Sequence, residues 1–312
     1  MSSLIEQAAQ RLEQLRKAGV TIPEMAPAIA PAAAHAGTVV NGFDALAPRA
    51  PAATVPKPNA PLSRQVELNL AELAAAGIVT PSAPRSHTAD QYRVIKRPLI
   101  VNAMGKGAST LRHGNLIMVT SALAGEGKSY TSINLAMSIA AELDNTVMLV
   151  DADVARPSVL RMLGLPPSPG FLDLLEGKAE MADVLLRTSI DKLTILPSGT
   201  PHPRATELLA SDAMRALLDD MAKRYPDRII IFDSPPLLLT TEARVLATQM
   251  GQVVMVVHAE STLRADVQRA LATIDACPVR LMLLNKSRTS SAGGYGEGYG
   301  YGYGYGHEQP AA

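Results

Sequence analysis

The stretch that decides the fold covers residues 116–129 and reads LIMVTSALAGEGKS. Its first five residues are apolar or β-branched and predict a buried strand. A Gly-rich turn follows, and a helical pattern begins at Lys128. This order of strand, turn and Gly-Lys-Ser is a P-loop in which Ala122 stands at the place of the usual first glycine. The stretch therefore predicts a nucleotide-binding α/β domain.

Each P-loop residue has a chemical role in that prediction. Gly125 and Gly127 allow backbone N–H groups to surround phosphate oxygens. Lys128 supplies a positive charge to the β- and γ-phosphates, and the hydroxyl of Ser129 is a ligand for Mg²⁺. The helix that starts here points its positive end at the same phosphates.

Short apolar runs separated by helical patterns extend the α/β prediction over the middle of the chain. Strands are predicted at residues 116–120, 146–151, 193–196, 229–233, 253–257 and 281–284. Helices are predicted at residues 128–143, 179–187, 206–224, 242–249 and 263–276. This alternation indicates a doubly wound, mostly parallel sheet with helices on both faces. Such sheets bind ligands at the carboxyl ends of their strands.

Three carboxylates follow strands at that edge. Asp151 and Asp153 end the second predicted strand, where two acids can reach a metal-bound triphosphate, although both could instead be solubilising loop residues. Asp233 closes a run of apolar residues and is followed by Ser-Pro-Pro, which is a Walker B pattern. With Lys128 and Ser129, these acids predict a Mg·ATP site that has one carboxylate left over to act as a base.

Composition limits the class of protein. The 312 residues include 29 Lys and Arg and 29 Asp and Glu, so a basic face for nucleic acid is not expected. Apolar residues make up 47% of the chain, which is enough for a core of one sizeable domain or two small ones. The single cysteine, Cys277, fits a reducing compartment. No signal peptide and no apolar run of 18 residues is expected, so any membrane association would come through a partner.

Three regions differ in composition. Residues 1–88 are expected to be a partly disordered docking or tether region with two short helices, residues 89–286 an ATP-binding domain, and residues 287–312 a disordered tail. The two helices share the ending Leu-x-x-Leu-x-x-Ala-Gly at residues 12–19 and 70–77, each with a proline four residues on. They are either two Gly-capped helices or two docking helices on a tether. The tail carries five tyrosines among glycines: Tyr295, Tyr299, Tyr301, Tyr303 and Tyr305.

These motifs together resemble the bacterial tyrosine kinases of polysaccharide export, and most of all the exosortase-associated tyrosine autokinases. The matching segments are the P-loop at residues 124–129, Asp-x-Asp at 151–153, the Walker B motif at 233–236 and the Tyr-rich tail. The resemblance implies an ATP- and Mg²⁺-dependent protein-tyrosine autokinase that phosphorylates its C-terminal tyrosine cluster in trans and regulates exopolysaccharide chain length or export.

The resemblance also implies roles for individual residues. The nucleotide would be bound by Gly125, Glu126, Gly127, Lys128, Ser129, Tyr130 and Asn285, with Asn285 at the adenine. Catalysis would use Lys128, Asp151, Asp153 and Asp233, the metal would lie near Ser129, Asp151, Asp153 and Asp233, and Asp151 would be the base. Self-association would use Asp90, Arg93 and Lys96, a softened form of the family's Glu-x-x-Arg-x-x-Arg helix.

Three departures from the family pattern are visible. Ala155 stands where the family often has an arginine, and Arg156 follows it. Tyr130 replaces a small hydroxyl residue. Leu123 stands where the related ATPases of cell division and plasmid partition carry a second lysine, which favours the kinase branch.

The implied partners are a second copy of the chain in a ring-like homo-oligomer, a membrane-embedded polysaccharide chain-length regulator and a phosphotyrosine phosphatase, with no nucleic acid. The implied location is cytoplasmic and peripheral to the inner membrane. Two alternatives stay open at this point. One is a non-kinase P-loop ATPase switch, and the other is a nucleotide-binding scaffold that acts with a membrane partner.

Overall fold

An eight-stranded sheet forms the centre of the part of the chain that the computed structural model describes, which is residues 63–81, 86–107, 110–224 and 227–287. Its strands are β1 (Gln65–Val66), β2 (Leu116–Ser121), β3 (Thr146–Asp151), β4 (Leu186–Thr188), β5 (Leu193–Leu196), β6 (Arg228–Asp233), β7 (Gln252–His258) and β8 (Val279–Asn285). Their order across the sheet is β1-β4-β5-β3-β6-β2-β7-β8, with β4 and β5 antiparallel and the other pairs parallel. The predicted α/β class and the mostly parallel sheet are confirmed.

Helices connect these strands and cover both faces of the sheet. They are α1 (Leu70–Ala75), α2 (His87–Ala103), α3 (Lys128–Ala140), α4 (Val159–Met162), α5 (Phe171–Leu175), α6 (Met181–Val184), α7 (Ala205–Leu209), α8 (Asp212–Arg224), α9 (Thr241–Ala247) and α10 (Arg264–Ala272). Alternate residues of β2 point into two separate apolar clusters, with Leu116 and Met118 in one and Ile117 and Val119 in the other. Because β2 is buried on both faces, its sequence reads as one continuous apolar run.

The strand order explains why distant acids meet. Strand β6 lies between β2 and β3, and Asp233 of β6 pairs in register with Asp151 of β3. Both strands are parallel to β2, so their carboxyl ends emerge beside the turn that follows β2. The sheet therefore brings the P-loop and the two carboxylates to one edge, as expected for a doubly wound fold.

Two helix predictions were wrong in their extent. The predicted helix at residues 179–187 is α6 alone, because Leu186 and Thr188 are buried and Arg187 between them is exposed, which is the period of a strand. The predicted helix at residues 206–224 is broken into α7 and α8. Ser211 lies at the break, and its hydroxyl accepts the backbone N–H of Met214 at 3.2 Å, as a helix N-cap does.

The segment at residues 63–81 is part of this fold. Strand β1 pairs with β4, and the side chains of Leu68, Leu73 and Ile78 are buried in the cluster on the α3 side of the sheet. The second of the two expected N-terminal helices is present as α1, followed by Gly77 with a left-handed φ of 79°. The expected boundary at residue 88 falls inside α2. The first expected helix and the Tyr-rich tail lie outside the described residues.

Among the described residues, no helix is both long enough and apolar enough to pass through a membrane.

Candidate active site

The P-loop turn between β2 and α3 has a backbone that only glycine fits. Gly125 and Gly127 have φ angles of 81° and 98°, in the left-handed region that other residues rarely adopt. A Cβ atom on Gly127 would lie 2.1 Å from the Nδ2 atom of Asn285, which is far inside van der Waals contact. The turn borders a cavity of about 560 Å³ that Lys128 and Ser129 also line. The geometry matches a loop that wraps around phosphates.

Lys128 and Asp153 both line this cavity and form an ion pair with each other. The Nζ atom of Lys128 lies 2.8 Å from Oδ2 of Asp153, and both side chains are largely buried. The other carboxylate oxygen of Asp153 accepts the backbone N–H of Arg156 at 3.2 Å. The positive charge predicted for phosphate binding is therefore held in place by one of the predicted acids.

Asp151 is buried, and its two oxygens have different surroundings. Oδ2 accepts the backbone N–H groups of Ser158 and Val159, both at 3.0 Å. Oδ1 is buried and has no hydrogen-bond partner. Burial, followed by repulsion from Asp233, raises the pKa of Asp151 to about 7. The carboxylate is thus oriented by the backbone while one oxygen is free to bind a proton or a cation.

Asp233 repeats this arrangement on the neighbouring strand. Its Oδ1 atom accepts the hydroxyl of Ser132 at 3.1 Å, and its Oδ2 atom is buried without a partner. Burial raises the pKa of Asp233 to about 6, although Lys128 acts to lower it. Two unpartnered carboxylate oxygens therefore lie at the carboxyl ends of adjacent strands.

Ser158 is a site residue that the sequence reasoning missed. Its hydroxyl donates to the Ser129 hydroxyl at 2.9 Å, and its backbone N–H donates to Asp151. Ser158 is the N-cap residue that precedes the four-residue helix α4, seven residues after Asp151, and no motif marks it. Ala155 and Arg156 both line the cavity, so Arg156 is at the mouth of the site.

Three residues predicted to bind nucleotide make hydrogen bonds within the protein, and their contact with nucleotide stays a prediction. The Glu126 side chain is buried, and it accepts the N–H of Leu123 at 2.7 Å. The Asn285 side chain donates to the Glu126 carbonyl at 2.9 Å, and its adenine contact stays a prediction. The Tyr130 hydroxyl donates to the Gly77 carbonyl at 2.6 Å, which ties the P-loop helix to the segment after α1. This hydrogen bond gives a structural reason for a tyrosine at position 130, where the family usually has a small hydroxyl residue.

The three residues predicted for self-association are not all on the surface. Asp90 and Arg93 form an exposed ion pair on one face of α2. Lys96 is only 3% exposed, and its Nζ atom donates to the carbonyl of Ser138 at 2.5 Å and lies 2.6 Å from Glu142. Lys96 thus attaches α2 to the end of α3, so the structure does not support a contact between Lys96 and a second copy.

The buried Lys96 side chain gives a prediction for stability. Lys96→Ala should lower the free energy of unfolding by about 2–3 kcal/mol, because the Glu142 carboxylate and the Ser138 carbonyl lose a buried donor. Urea denaturation measures the change. Arg93→Ala is the matched control on the same helix, and its exposed ion pair should be worth less than about 1 kcal/mol. Equal losses in the two variants would contradict the anchoring role.

Comparison with known proteins agrees with the site geometry. The family model described as ParA, NUBPL iron-transfer P-loop NTPase, matches residues 112–284, which is more than half of the chain. Tyrosine-protein kinase CpsD of Streptococcus agalactiae is 31% identical over 185 residues, covering 58% of this chain and 79% of CpsD. The chain belongs to the bacterial tyrosine-kinase branch of this family. The kinase therefore binds a nucleotide at its P-loop.

Further matches extend along most of the kinase. Tyrosine-protein kinase YwqD of Bacillus subtilis is 29% identical over 220 residues, covering 70% of this chain and 89% of YwqD. The crystal structure of the chimerical protein CapA2B2 superposes with a TM-score of 0.56 and 27% identity, covering 71% of this chain and 93% of that one. Some other kinase relatives are much longer, and the chain spans only 22–24% of their length.

Proposed function

We propose that this kinase transfers the γ-phosphoryl group of ATP to tyrosines of its own C-terminal cluster, in trans between copies. The observation that carries the proposal is the pair of buried, unpartnered oxygens on Asp151 and Asp233, together with the Lys128 ammonium, which pairs with Asp153 and whose charge acts on Asp233. A site of this kind aligns phosphates and neutralises charge, which is most of what phosphoryl transfer requires. The tyrosine-rich tail in the same chain supplies the acceptors.

The same oxygens fit a Mg²⁺ ion. A buried anionic oxygen without a partner is costly, and a cation removes that cost. Mg²⁺ usually takes one or two carboxylates together with substrate phosphates and water. Within the described ranges, no group of three His, Cys, Asp or Glu side chains could hold a metal by itself, so the ion would depend on the nucleotide. Asp151, Asp153, Asp233 and the Ser129 hydroxyl are the proposed surroundings, and the ion would supply charge neutralisation at the phosphates.

The remaining steps belong to the chain's own residues. Lys128 stabilises the negative charge that develops on the transferred group. The phenol oxygen of the acceptor attacks the γ-phosphorus, the bond from that phosphorus to the ADP oxygen breaks, and the phenol proton moves to Asp151. A carboxylate with a pKa near 7 accepts that proton more readily than an ordinary aspartate does. Asp153 keeps the Lys128 ammonium in position.

The tail is long enough to reach a neighbouring site. From Asn285, the last residue of β8, the farthest tail tyrosine is Tyr305, 20 positions on. That length corresponds to about 66 Å when fully extended and to a typical span of about 25 Å as a Gly-rich coil. Each phosphate would add a charge of about −1.5 to −2, so modified tails would repel one another. We propose that this repulsion loosens a homo-oligomer.

Replacing all five tail tyrosines with Phe tests the acceptor role. Phosphotyrosine after incubation with Mg·ATP should fall nearly to background, because the phenol oxygens are lost while the site is intact. Tyr92 is retained in the Phe variant and serves as an internal negative control. It is buried, and burial raises its pKa to about 12, so it should not be phosphorylated. Undiminished phosphotyrosine in the Phe variant would contradict the proposal that the tail tyrosines are the acceptors.

A mixing experiment separates transfer in trans from transfer in cis. The Phe-tail variant keeps its active site but has no acceptors, whereas Lys128→Met keeps its acceptors but lacks the phosphate-binding ammonium. Neither variant should become phosphorylated when incubated alone. In the mixture, the Lys128→Met chain should become phosphorylated. An unlabelled mixture, with wild type labelled under the same conditions, would show that transfer stays within one chain.

We also propose a cellular setting on the basis of the resemblance. The kinase would act at the inner membrane through a membrane-embedded polysaccharide chain-length regulator, and a phosphotyrosine phosphatase would reverse the modification. The resemblance to the exosortase-associated kinases implies that this cycle of phosphorylation and dephosphorylation controls exopolysaccharide chain length or export. Asp90 and Arg93 remain candidates for contact between copies, since both are exposed on α2.

A further inference from the structure

A buried carboxylate links the P-loop to the turn after β7. Glu126 lies between the two left-handed glycines of the loop, and it is only 2% exposed. One carboxylate oxygen accepts the N–H of Leu123 at 2.7 Å, and the other is hydrogen-bonded to the hydroxyl of Thr262. The same hydroxyl accepts the N–H of His258 at 3.2 Å, so Thr262 is itself held in place.

The end of β8 joins both of these segments. The side chain of Asn285 donates to the carbonyl of Glu126 at 2.9 Å, and Lys286 donates to the carbonyl of Gly125 at 2.8 Å. The Asn285 carbonyl in turn accepts the N–H of Ala259, in the turn after β7, at 2.9 Å. The P-loop, the turn after β7 and the end of β8 are therefore connected in a closed set of hydrogen bonds.

This set determines which way the loop peptides face. The carbonyl and N–H of a trans peptide point in opposite directions. Because the carbonyls of Gly125 and Glu126 accept hydrogen bonds from Lys286 and Asn285 at the end of β8, the N–H groups of the next residues, Glu126 and Gly127, point away from that end of β8. Those N–H groups are the ones a P-loop offers to phosphate oxygens.

A carboxylate at position 126 would disfavour phosphate binding unless its hydrogen bonds contribute to the site. A carboxylate beside a phosphate site repels the ligand. Glu126 has no ion-pair partner in the described part of the chain. A neutral residue would avoid that repulsion but would not accept both hydrogen bonds as strongly.

We propose that Glu126 and Thr262 are positioning residues of the phosphate site. Their hydrogen bond fixes the P-loop in the conformation that points its N–H groups at the nucleotide. The proposal rests on nucleotide binding at the P-loop and is independent of where the phosphoryl group goes. Glu126 would then affect nucleotide binding through the conformation of the P-loop. Thr262 becomes a further residue of the site, although it lies in a turn that no sequence motif marks.

Titration of the full chain with Mg·ADP tests this directly by calorimetry. Thr262→Val keeps the shape but removes the hydroxyl, and it should weaken ADP binding about 10-fold. Thr262→Ser should bind within about 3-fold of wild type, and Glu126→Gln should retain more affinity than Glu126→Ala. Because Glu126 and Thr262 act through one bond, Glu126→Ala with Thr262→Val should bind no more weakly than Glu126→Ala alone.

Thr273→Val is the matched control, because the Thr273 hydroxyl bonds only its own helix end, at the Ala270 carbonyl. It should leave ADP binding unchanged even if it lowers the melting temperature. Unchanged affinity in Thr262→Val, additive losses in the double variant, or equal losses of affinity in Thr273→Val would each overturn the proposal. Since ADP binding is the readout, a failure of tail labelling would count only against the proposed acceptors.

Discussion

Lys128→Met should reduce tyrosine phosphorylation by at least about 100-fold, because it removes the charge that stabilises the transferred group. In the structure, the Lys128 ammonium is 2.8 Å from Asp153 and is largely buried. Methionine has a similar length and no charge, so packing changes little. Quantified phosphotyrosine after a fixed time with Mg·ATP measures the effect.

The same substitution has a cost in stability that must be separated from catalysis. It leaves the buried Asp153 carboxylate without its cation, which should lower the free energy of unfolding by about 2 kcal/mol. Adding Asp153→Asn to Lys128→Met removes the orphaned charge. The double variant should regain most of the stability and none of the activity. Because Asp153 is also a proposed site residue, activity that returned together with stability would contradict a role in the reaction for both Lys128 and Asp153.

Asp151→Asn should have opposite effects on stability and on activity. In the ligand-free kinase, Asp151 is a buried acid whose pKa is raised to about 7, so its charged form is disfavoured by the fold. An asparagine can accept the same N–H groups of Ser158 and Val159 without a charge. The variant should therefore be more stable at pH 8, by about 3 kcal/mol, while phosphotyrosine formation falls about 100-fold or more.

The pH dependence gives this prediction its sign. An acid with a raised pKa binds more protons in the folded state than in the unfolded state, so stability falls as pH rises. The loss of folding stability caused by the raised pKa of Asp151 is absent below about pH 4, where the aspartate of the unfolded chain titrates. It grows up to about pH 7, where folded Asp151 titrates, and Asp233 adds to it up to about pH 6. The gain from Asp151→Asn should thus be small at pH 5 and large at pH 8.

Asp173→Asn is the control with the opposite sign. Burial acts to raise the pKa of Asp173, but the N–H groups of Gly170 and Thr200 outweigh it and hold the pKa below its ordinary value. Asp173 bonds these groups at 2.8 and 3.0 Å. Its replacement should destabilise the kinase at pH 8. Urea denaturation of both variants at pH 5 and pH 8 measures the difference, and a stability loss in Asp151→Asn at pH 8 would contradict the account.

Much of the fold could be predicted because its central strands are buried on both faces. Strands β3 and β6 are apolar runs that end in a predicted site residue, Asp151 and Asp233, so both their position and their role could be predicted. The short elements were harder. Strand β4 has three residues, and its pairing with β1 and β5 depends on contacts that are distant in sequence. Local pattern alone cannot show that pairing.

The site could be predicted in its types of residue but not in its bonds. Lys128 and Asp153 were expected beside the same phosphates, but not as a direct ion pair. Ser158 and Thr262 act through hydrogen bonds from segments that follow strands, and no spacing rule indicates them. Lys96 matched a surface motif by its position, yet the path of α2 across the end of α3 buries it. Tertiary placement decided each of these cases.

The intact mass of the full chain after incubation with Mg·ATP, followed by mapping of the modified residues, tests the central claim most directly. The account predicts several added phosphoryl groups per chain, all on tyrosines of residues 288–312, and none in Lys128→Met. ADP formed by a wild-type chain of unchanged mass would contradict it and would identify an ATPase switch instead.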